Sequence, residues 1–388
     1  MDERILAYIA GLDAGPEKFT VNLRSPGRIN VIGEHTDYTG GLVMPAAIDR
    51  AIYFAARPLP QPEWRLHAID INQTATLPLP VTERTQRTWV NYLAGIGVQY
   101  QDRGHLLPGM EIVLGGDLPV GSGMSSSAAL EGGMAFLLNE VLNTQLDRPE
   151  LARLCQRSSN TFMGIPSGIM DQFASLNGLA SGPIVLNCAT HAFEPVKNAL
   201  NGYSFILVNS MVSHDLSDGA YTRRVEECEL ALSALRRSYP ELPNLSAAKL
   251  SQLERVKSDI SSVVYRRARY VIGENERVRA AIQALEGGAA SELGRLLSET
   301  HRGLRDEYEV SCTELDYLQR YATSHPAVSG ARLMGGGFGG CTLNLVADEG
   351  IDSFTEGVLS AYEEQFNMKA EVYPVRIREG TSLLPADR

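Results

Sequence analysis

Ile29-Asn30-Val31-Ile32-Gly33-Glu34-His35-Thr36-Asp37-Tyr38 runs from a short apolar strand into two carboxylates, an imidazole and a phenol, and Gly40-Gly41 closes the run before Leu42-Val43-Met44. So many hydrogen-bonding groups make poor core material, because each needs a partner once it is buried. The run suits either a solvated turn or a small, hydroxyl-rich ligand.

Outward from this run, the chain alternates strand-like and helical stretches without a regular βαβ rhythm, which predicts an α+β fold and not a doubly wound sheet. Residues 1–12 read as a short amphipathic helix and Val21 to Ala56 as strands. Residues 57–88 read as a hairpin with variable loops. The spacing of Trp89, Leu93, Ile96 and Tyr100 predicts a helix to Gln101. Met110 to Leu114 reads as a strand, Ser125 to Asn143 as a helix, and a further helix follows Arg148-Pro149. Ile184 to Leu186 and Phe205 to Val208 are buried-strand candidates. Residues 217–322 are nearly all amphipathic helix, and Thr342 to Val346 and Ala370 to Val375 return to strand.

The 388 residues exceed the usual single core, so two domains are expected. A net charge of −11 argues against a nucleic-acid partner. No apolar stretch approaches the ~18 residues of a membrane span, and Met1-Asp2-Glu3-Arg4 does not start a signal peptide. Five scattered cysteines, never in a CxxC, fit buried thiols in a reducing cytoplasm better than disulfides or a zinc site.

Leu118 to Ala129 (LPVGSGMSSSAA) joins a strand to a helix. Its glycines let the backbone approach a ligand, and its serines are expected to cap the helix. Free N–H groups and the helix dipole then form a seat for anionic oxygens, and a hydroxyl there can ligate Mg²⁺. A well-capped buried helix without a ligand would use the same residues. The GK[ST] ending of a Walker loop is missing. Gly335 to Gly340 formally matches GxGxxG, but a strand follows it instead of a helix, so a loop pressed against another loop or a ligand is expected. His301-Arg302-Gly303 is not a kinase HRD motif, since no DFG follows it. Asp171, in Gly168-Ile169-Met170-Asp171-Gln172-Phe173, reads either as a capping or salt-bridged residue or as a proton acceptor that an arginine such as Arg28 would keep ionised.

Taken together these runs resemble the GHMP kinases, and specifically the galactokinases. Gly27 to Tyr38 is similar to the galactokinase signature, Leu118 to Ala129 to the superfamily phosphate motif, and Met334 to Cys341 to its third motif. Trp89 to Tyr92, Gly168 to Phe173, Tyr221 and Asp306 to Ser311 extend the likeness over nearly the whole chain. The resemblance implies a two-lobed fold. A ribosomal-S5-domain-2-like N-terminal lobe would span residues 1–186 and an α/β C-terminal lobe residues 187–388.

The resemblance also implies ATP-dependent phosphorylation of the anomeric hydroxyl of galactose by a cytoplasmic monomer, with ATP and Mg²⁺ required. Arg28 and Asp171 would be the catalytic pair. Glu34, His35, Asp37, Gly168 and Tyr221 would contact sugar hydroxyls, with Asp37 reading the axial 4-OH. Leaving that carboxylate without its hydroxyl costs about 1–3 kcal/mol, which disfavours glucose. Gly121, Ser122, Gly123, Met124, Ser125, Ser126 and Ser127 would hold the ATP phosphates, Ser127 would ligate Mg²⁺, and Trp89 and Tyr92 would flank adenine. A kinase for a related sugar and a catalytically weak sugar and ATP sensor are the alternative readings. Three departures from the family pattern stand out: Ser159 where an acidic Mg²⁺ ligand is usual, Ser213 where a basic residue precedes His214, and Ser167 in place of a cysteine.

Overall fold

The protein is described by a computed structural model that covers residues 2–12, 18–119, 121–212 and 219–385. The chain opens with helix α1 (Glu3–Ala10), capped by the Asp2 carboxylate. Strands β1 (Val21–Asn30), β2 (Leu42–Val43), β3 (Pro45–Pro58), β4 (Glu63–Ala68) and β5 (Gln73–Pro78) follow, with β4 and β5 forming the expected hairpin. Helix α2 (Thr88–Gln101), strand β6 (Met110–Gly116), and helices α3 (Ser126–Leu142), α4 (Arg148–Arg157) and α5 (Met170–Asn177) complete the first half. Next come β7 (Ile184–Asn187), β8 (Phe193–Pro195) and β9 (Tyr203–Asn209), then helices α6 (Ala220–Ser238), α7 (Leu250–Arg255), α8 (Ser262–Glu286), α9 (Ala290–Asp306) and α10 (Thr313–Ser324). The end alternates β10 (Val328–Leu333), β11 (Cys341–Ala347), α11 (Ile351–Phe366), β12 (Glu371–Val375) and β13 (Ser382–Leu383).

Three sheets result: a six-stranded one in the order β13-β1-β3-β6-β4-β5, a four-stranded one in the order β10-β11-β9-β12, and a small β2-β7-β8 sheet. Every pairing is antiparallel except β4 with β6, in keeping with an α+β fold and not a doubly wound one. Helices α2 to α5 cover the first sheet, and their apolar faces share one core with it. That core runs on through Leu207 and Leu343 of the second sheet and Leu293, Leu296 and Leu297 of α9. The end of the chain returns to the beginning, because β13 pairs with β1 and Ile377 bridges to Ile48. The expected division at residue 186 falls inside β7, and the tail crosses it a second time.

One contact fixes how α9 sits on the second sheet. Gly294 and Gly330 meet backbone to backbone: a Cβ on Gly294 would lie 2.0 Å from the Ser329 carbonyl oxygen, and one on Gly330 would lie 2.0 Å from that of Gly294. Neither backbone can yield without moving an element. Gly294→Ala is therefore expected to destabilise the fold by about 1–3 kcal/mol in urea unfolding, despite the better helix propensity of alanine. An unchanged or raised midpoint would show that the contact is looser than this.

Candidate active site

An irregularity in the β1–β3 ladder adjoins the first functional side chain. The register shifts between Pro26 and Arg28: Gly27 alone separates them on β1, while Ile48, Asp49 and Arg50 separate Ala51 from Ala47 on β3, so the extra residues lie on β3. A Cβ on Gly27 would press within 2.8 Å of the Met124 carbonyl oxygen, so this strand and the 118–125 loop lie in direct contact. Arg28, buried to 4 % exposure, then forks onto Asp171, with Nε donating to Oδ1 and Nη2 to Oδ2, each at 2.8 Å. Arg28 Nη1 donates to the Gly123 carbonyl oxygen and Ser125 Oγ donates to Asp171 Oδ2, both at 2.5 Å. Asp171 lies in the first turn of α5, where the helix dipole favours an anion. Its side chain keeps 32 % of its surface exposed, so the carboxylate is held from behind and open in front.

The Ser125 hydroxyl corrects the expectation that serines cap α3. Ser125 adopts a left-handed conformation (φ 60°), and no side chain caps this helix. The first-turn N–H groups are thereby left for a ligand. Gly121 and Gly123 also have positive φ, at 77° and 74°, and nothing lies within 4 Å of the Cβ position at Gly121. Within the predicted phosphate seat, Ser126 and Ser127 line a cavity of about 910 Å³ together with Trp89 and Tyr92. Ser122 and Met124 are instead buried; the Ser122 hydroxyl donates to the Pro119 carbonyl oxygen and the Met124 carbonyl oxygen accepts the Arg28 amide.

Ser127 and Tyr92 also line a second, smaller cavity of about 220 Å³, which contains Arg28, Glu34, His35, Asp37, Gly168, Asp171 and Tyr221. The predicted catalytic and sugar-contacting residues therefore meet in one place, next to the start of α3. Gly168 lies so close to Asp37 that a Cβ there would fall 1.7 Å from Asp37 Oδ2. Burial, with help from the Asp171 charge, pushes the Asp37 carboxyl up to about 7. Burial also keeps Tyr221 protonated, and therefore a donor. For His35, burial lowers the imidazole to about 4, so the ring is neutral. Its Nε2 donates to the Gly336 carbonyl oxygen at 3.2 Å and its Nδ1 accepts from the Tyr38 hydroxyl at 2.8 Å. Both ring nitrogens are thus engaged inside the protein, and His35 offers the cavity its ring wall.

Several working residues escaped the sequence reading. Arg332, fully buried, donates from Nη1 to Glu34 Oε1 and from Nε to the Val31 carbonyl oxygen, each at 2.9 Å; the Gly335 amide donates to the same Glu34 oxygen at 2.8 Å. The 335–340 loop is indeed pressed against other loops, since Phe338 N donates to the Val310 carbonyl oxygen at 2.7 Å. Glu131, Ser159 and Gln172 form a buried group behind the small cavity. His301 is a packing residue whose Nδ1 accepts the Leu333 amide. Val120, Ser213 and His214 lie outside the described residues. Among the described residues no helix is long and apolar enough to cross a membrane.

Comparison with known proteins agrees with this geometry. The galactokinase galactose-binding signature matches residues 15–58, the GHMP kinases N-terminal domain residues 91–179, and the GHMP kinases C-terminal domain residues 281–354. The galactokinase of Roseiflexus sp. (strain RS-1) is 36% identical over 362 residues, covering 93% of this chain and 92% of that protein. The chain belongs to the galactokinase family. The galactokinase of Thermotoga neapolitana (strain ATCC 49049) is 35% identical over 361 residues, covering 93% of this chain and 99% of its own length. The crystal structure of Lactococcus lactis galactokinase complexed with galactose superposes with a TM-score of 0.93 at 32% identity, covering 98% of this chain and 99% of that one. A mevalonate kinase at 17% identity shares the fold with a TM-score of 0.65. The expected GHMP kinase fold is thus the observed one.

The raised Asp37 carboxyl generates a pH dependence. Between its ordinary value of 3.8 and about 7 the folded state holds a proton that the unfolded state releases, so this group makes stability fall as pH rises through that window. Asp37→Asn removes the effect. Unfolding of the ligand-free protein at about pH 5 and about pH 8 should show the variant gaining on the wild type at the higher pH. A difference that does not change with pH would contradict the assignment.

Proposed function

We infer that the chain transfers the γ-phosphoryl group of ATP to the anomeric hydroxyl of D-galactose, giving α-D-galactose 1-phosphate. The observation that carries this is the Arg28–Asp171 ion pair, which lies in the small polar cavity where that cavity shares Ser127 and Tyr92 with the larger one. Galactose occupies the small cavity and ATP the large one, with the adenine against Trp89 and Tyr92 and the phosphates on the α3 amides and the 121–127 backbone. Phosphoryl transfer asks chiefly for alignment and charge stabilisation, and both are available here.

Asp171 orients the C1 hydroxyl and accepts its proton. Arg28 holds that carboxylate through its two-pronged hydrogen bond and offsets charge on the moving phosphoryl group. Asp37 accepts from the axial 4-OH, Glu34 is held in place by Arg332 and the Gly335 amide, and Gly168 leaves room for Asp37. Tyr221 and His35 close the wall, Tyr221 as a hydroxyl donor and His35 as a neutral ring. The hard hydroxyl oxygen of Ser127, lining both cavities, fits Mg²⁺. When bound, Mg²⁺ neutralises charge on the β- and γ-phosphate oxygens. Five free thiols among the described residues suit a reducing cytoplasm, and the cavities are built from a single chain, so we place the enzyme there as a monomer.

The test is ADP release with Mg·ATP across a panel of hexoses, followed by NMR of the product. Turnover should require galactose and yield an anomeric phosphate. Asp171→Asn should lower kcat by about 10²–10⁴-fold while galactose affinity stays close to that of the wild type. Equal loss of turnover and binding would count against the role given to Asp171.

A further inference from the structure

Glu131 lies on α3 one turn beyond Ser127, with no exposed surface. Neutral donors hold both of its oxygens: Ser159 Oγ donates to Oε1 at 2.6 Å and Gln172 Nε2 to Oε2 at 3.1 Å. Among the described residues no cation acts on it, and the charge nearest in effect is that of Asp171, of the same sign. A fully buried carboxylate without a counter-charge is costly. Asp171, by comparison, has Arg28, and Glu34 has Arg332.

The two groups that hold Glu131 also face the substrate. Ser159 and Gln172 line the small cavity together with Ser127 and Asp171. Gln172 is 4 % exposed, yet its Oε1 is a buried acceptor with no hydrogen-bond partner. The Ser159 hydroxyl gives its proton to Glu131 and accepts a long bond from Gln172 Nε2 at 3.4 Å, so one lone pair remains free and is made more electron-rich by the carboxylate behind it. Hydroxyl and amide oxygens backed by a carboxylate are the hard donor set that Mg²⁺ or Mn²⁺ prefers.

We propose that Ser159 Oγ and Gln172 Oε1, backed by the Glu131 carboxylate, join Ser127 in seating the divalent cation that accompanies ATP, and that Glu131 supplies the negative charge of this seat. The inference rests on the kinase reading above, in which Mg·ATP meets the sugar at Ser127. In it the serine at 159 works as a ligand through a charge carried by another residue, which keeps that charge off the cavity wall and away from the phosphates.

The experiment uses Mn²⁺ as the probe. Free Mn²⁺ is measured by electron paramagnetic resonance during titration of the full chain with a non-hydrolysable imido analogue of ATP. Glu131→Gln and Ser159→Ala should each weaken Mn²⁺ binding in the ternary complex by about 10–100-fold, with galactose affinity held within about twofold. Adding Ser159→Asp to Glu131→Gln should recover most of the loss. Mn²⁺ affinity within about twofold of wild type in both single variants overturns the proposal. So does a wild-type chain that holds Mn²⁺ no more tightly than the nucleotide alone does; galactose-dependent ADP release then tells whether the kinase reading falls with it. Should Glu131→Gln fail to fold by circular dichroism, Ser159→Ala carries the test, since its hydroxyl stands at the cavity wall.

Discussion

A buried guanidinium holds the site together. Arg28 arrives from β1, Gly123 and Ser125 from the loop before α3, and Asp171 from the first turn of α5, and all four meet through charge-assisted hydrogen bonds of 2.5–2.8 Å. An arginine at 4 % exposure is tolerable only when its fork is satisfied, and here the carboxylate and the Gly123 carbonyl satisfy it. The pair we propose as the catalytic one is therefore also a pair the fold cannot easily release. Losing Asp171 would strand a buried cation as well as remove the proposed base, so isosteric substitution is the informative change and truncation is not.

The other carboxylates around the small cavity are compensated unequally, and the inequality follows their surroundings. Glu34 has a fully buried arginine and a backbone amide on one oxygen, which makes it part of the scaffold linking β1 to β10. Among the described residues Asp37 and Glu131 have no cation, and burial pushes each up to about 7. A carboxyl in that state gains most from whatever brings it a strong donor or a positive charge. The free energy of ligand binding can thus be drawn partly from relieving groups that the empty fold leaves under-satisfied.

Local chemistry was legible in the sequence wherever it depends on neighbours in the chain. The α2 periodicity, the β4–β5 hairpin and the glycine loop before β11 all follow from runs a few residues long. Elements without such a run were missed. Strand β10 carries Gly330, which reads as a breaker until α9 is known to press on it. Helix α11 has a mixed surface, and β13 has two residues whose partner lies at the other end of the chain. Arg332 reaches Glu34 across 298 positions, a pairing that no local pattern encodes.

Ser125 shows why composition alone does not settle wiring. A serine at a helix start donates or accepts locally by default, and an N-cap is the cheapest use of its hydroxyl. Here the left-handed backbone turns that hydroxyl away from α3 and toward Asp171, 46 positions later, so one residue serves two needs. It adds a third donor to the Asp171 carboxylate, and it leaves the α3 amides without the partner that would compete with an anion. Had the serine capped its own helix, the same sequence motif would describe a stable helix with a weaker anion seat. The difference lies in the left-handed backbone of Ser125, one residue beyond the point where the strand carrying Gly27 meets the Met124 carbonyl oxygen.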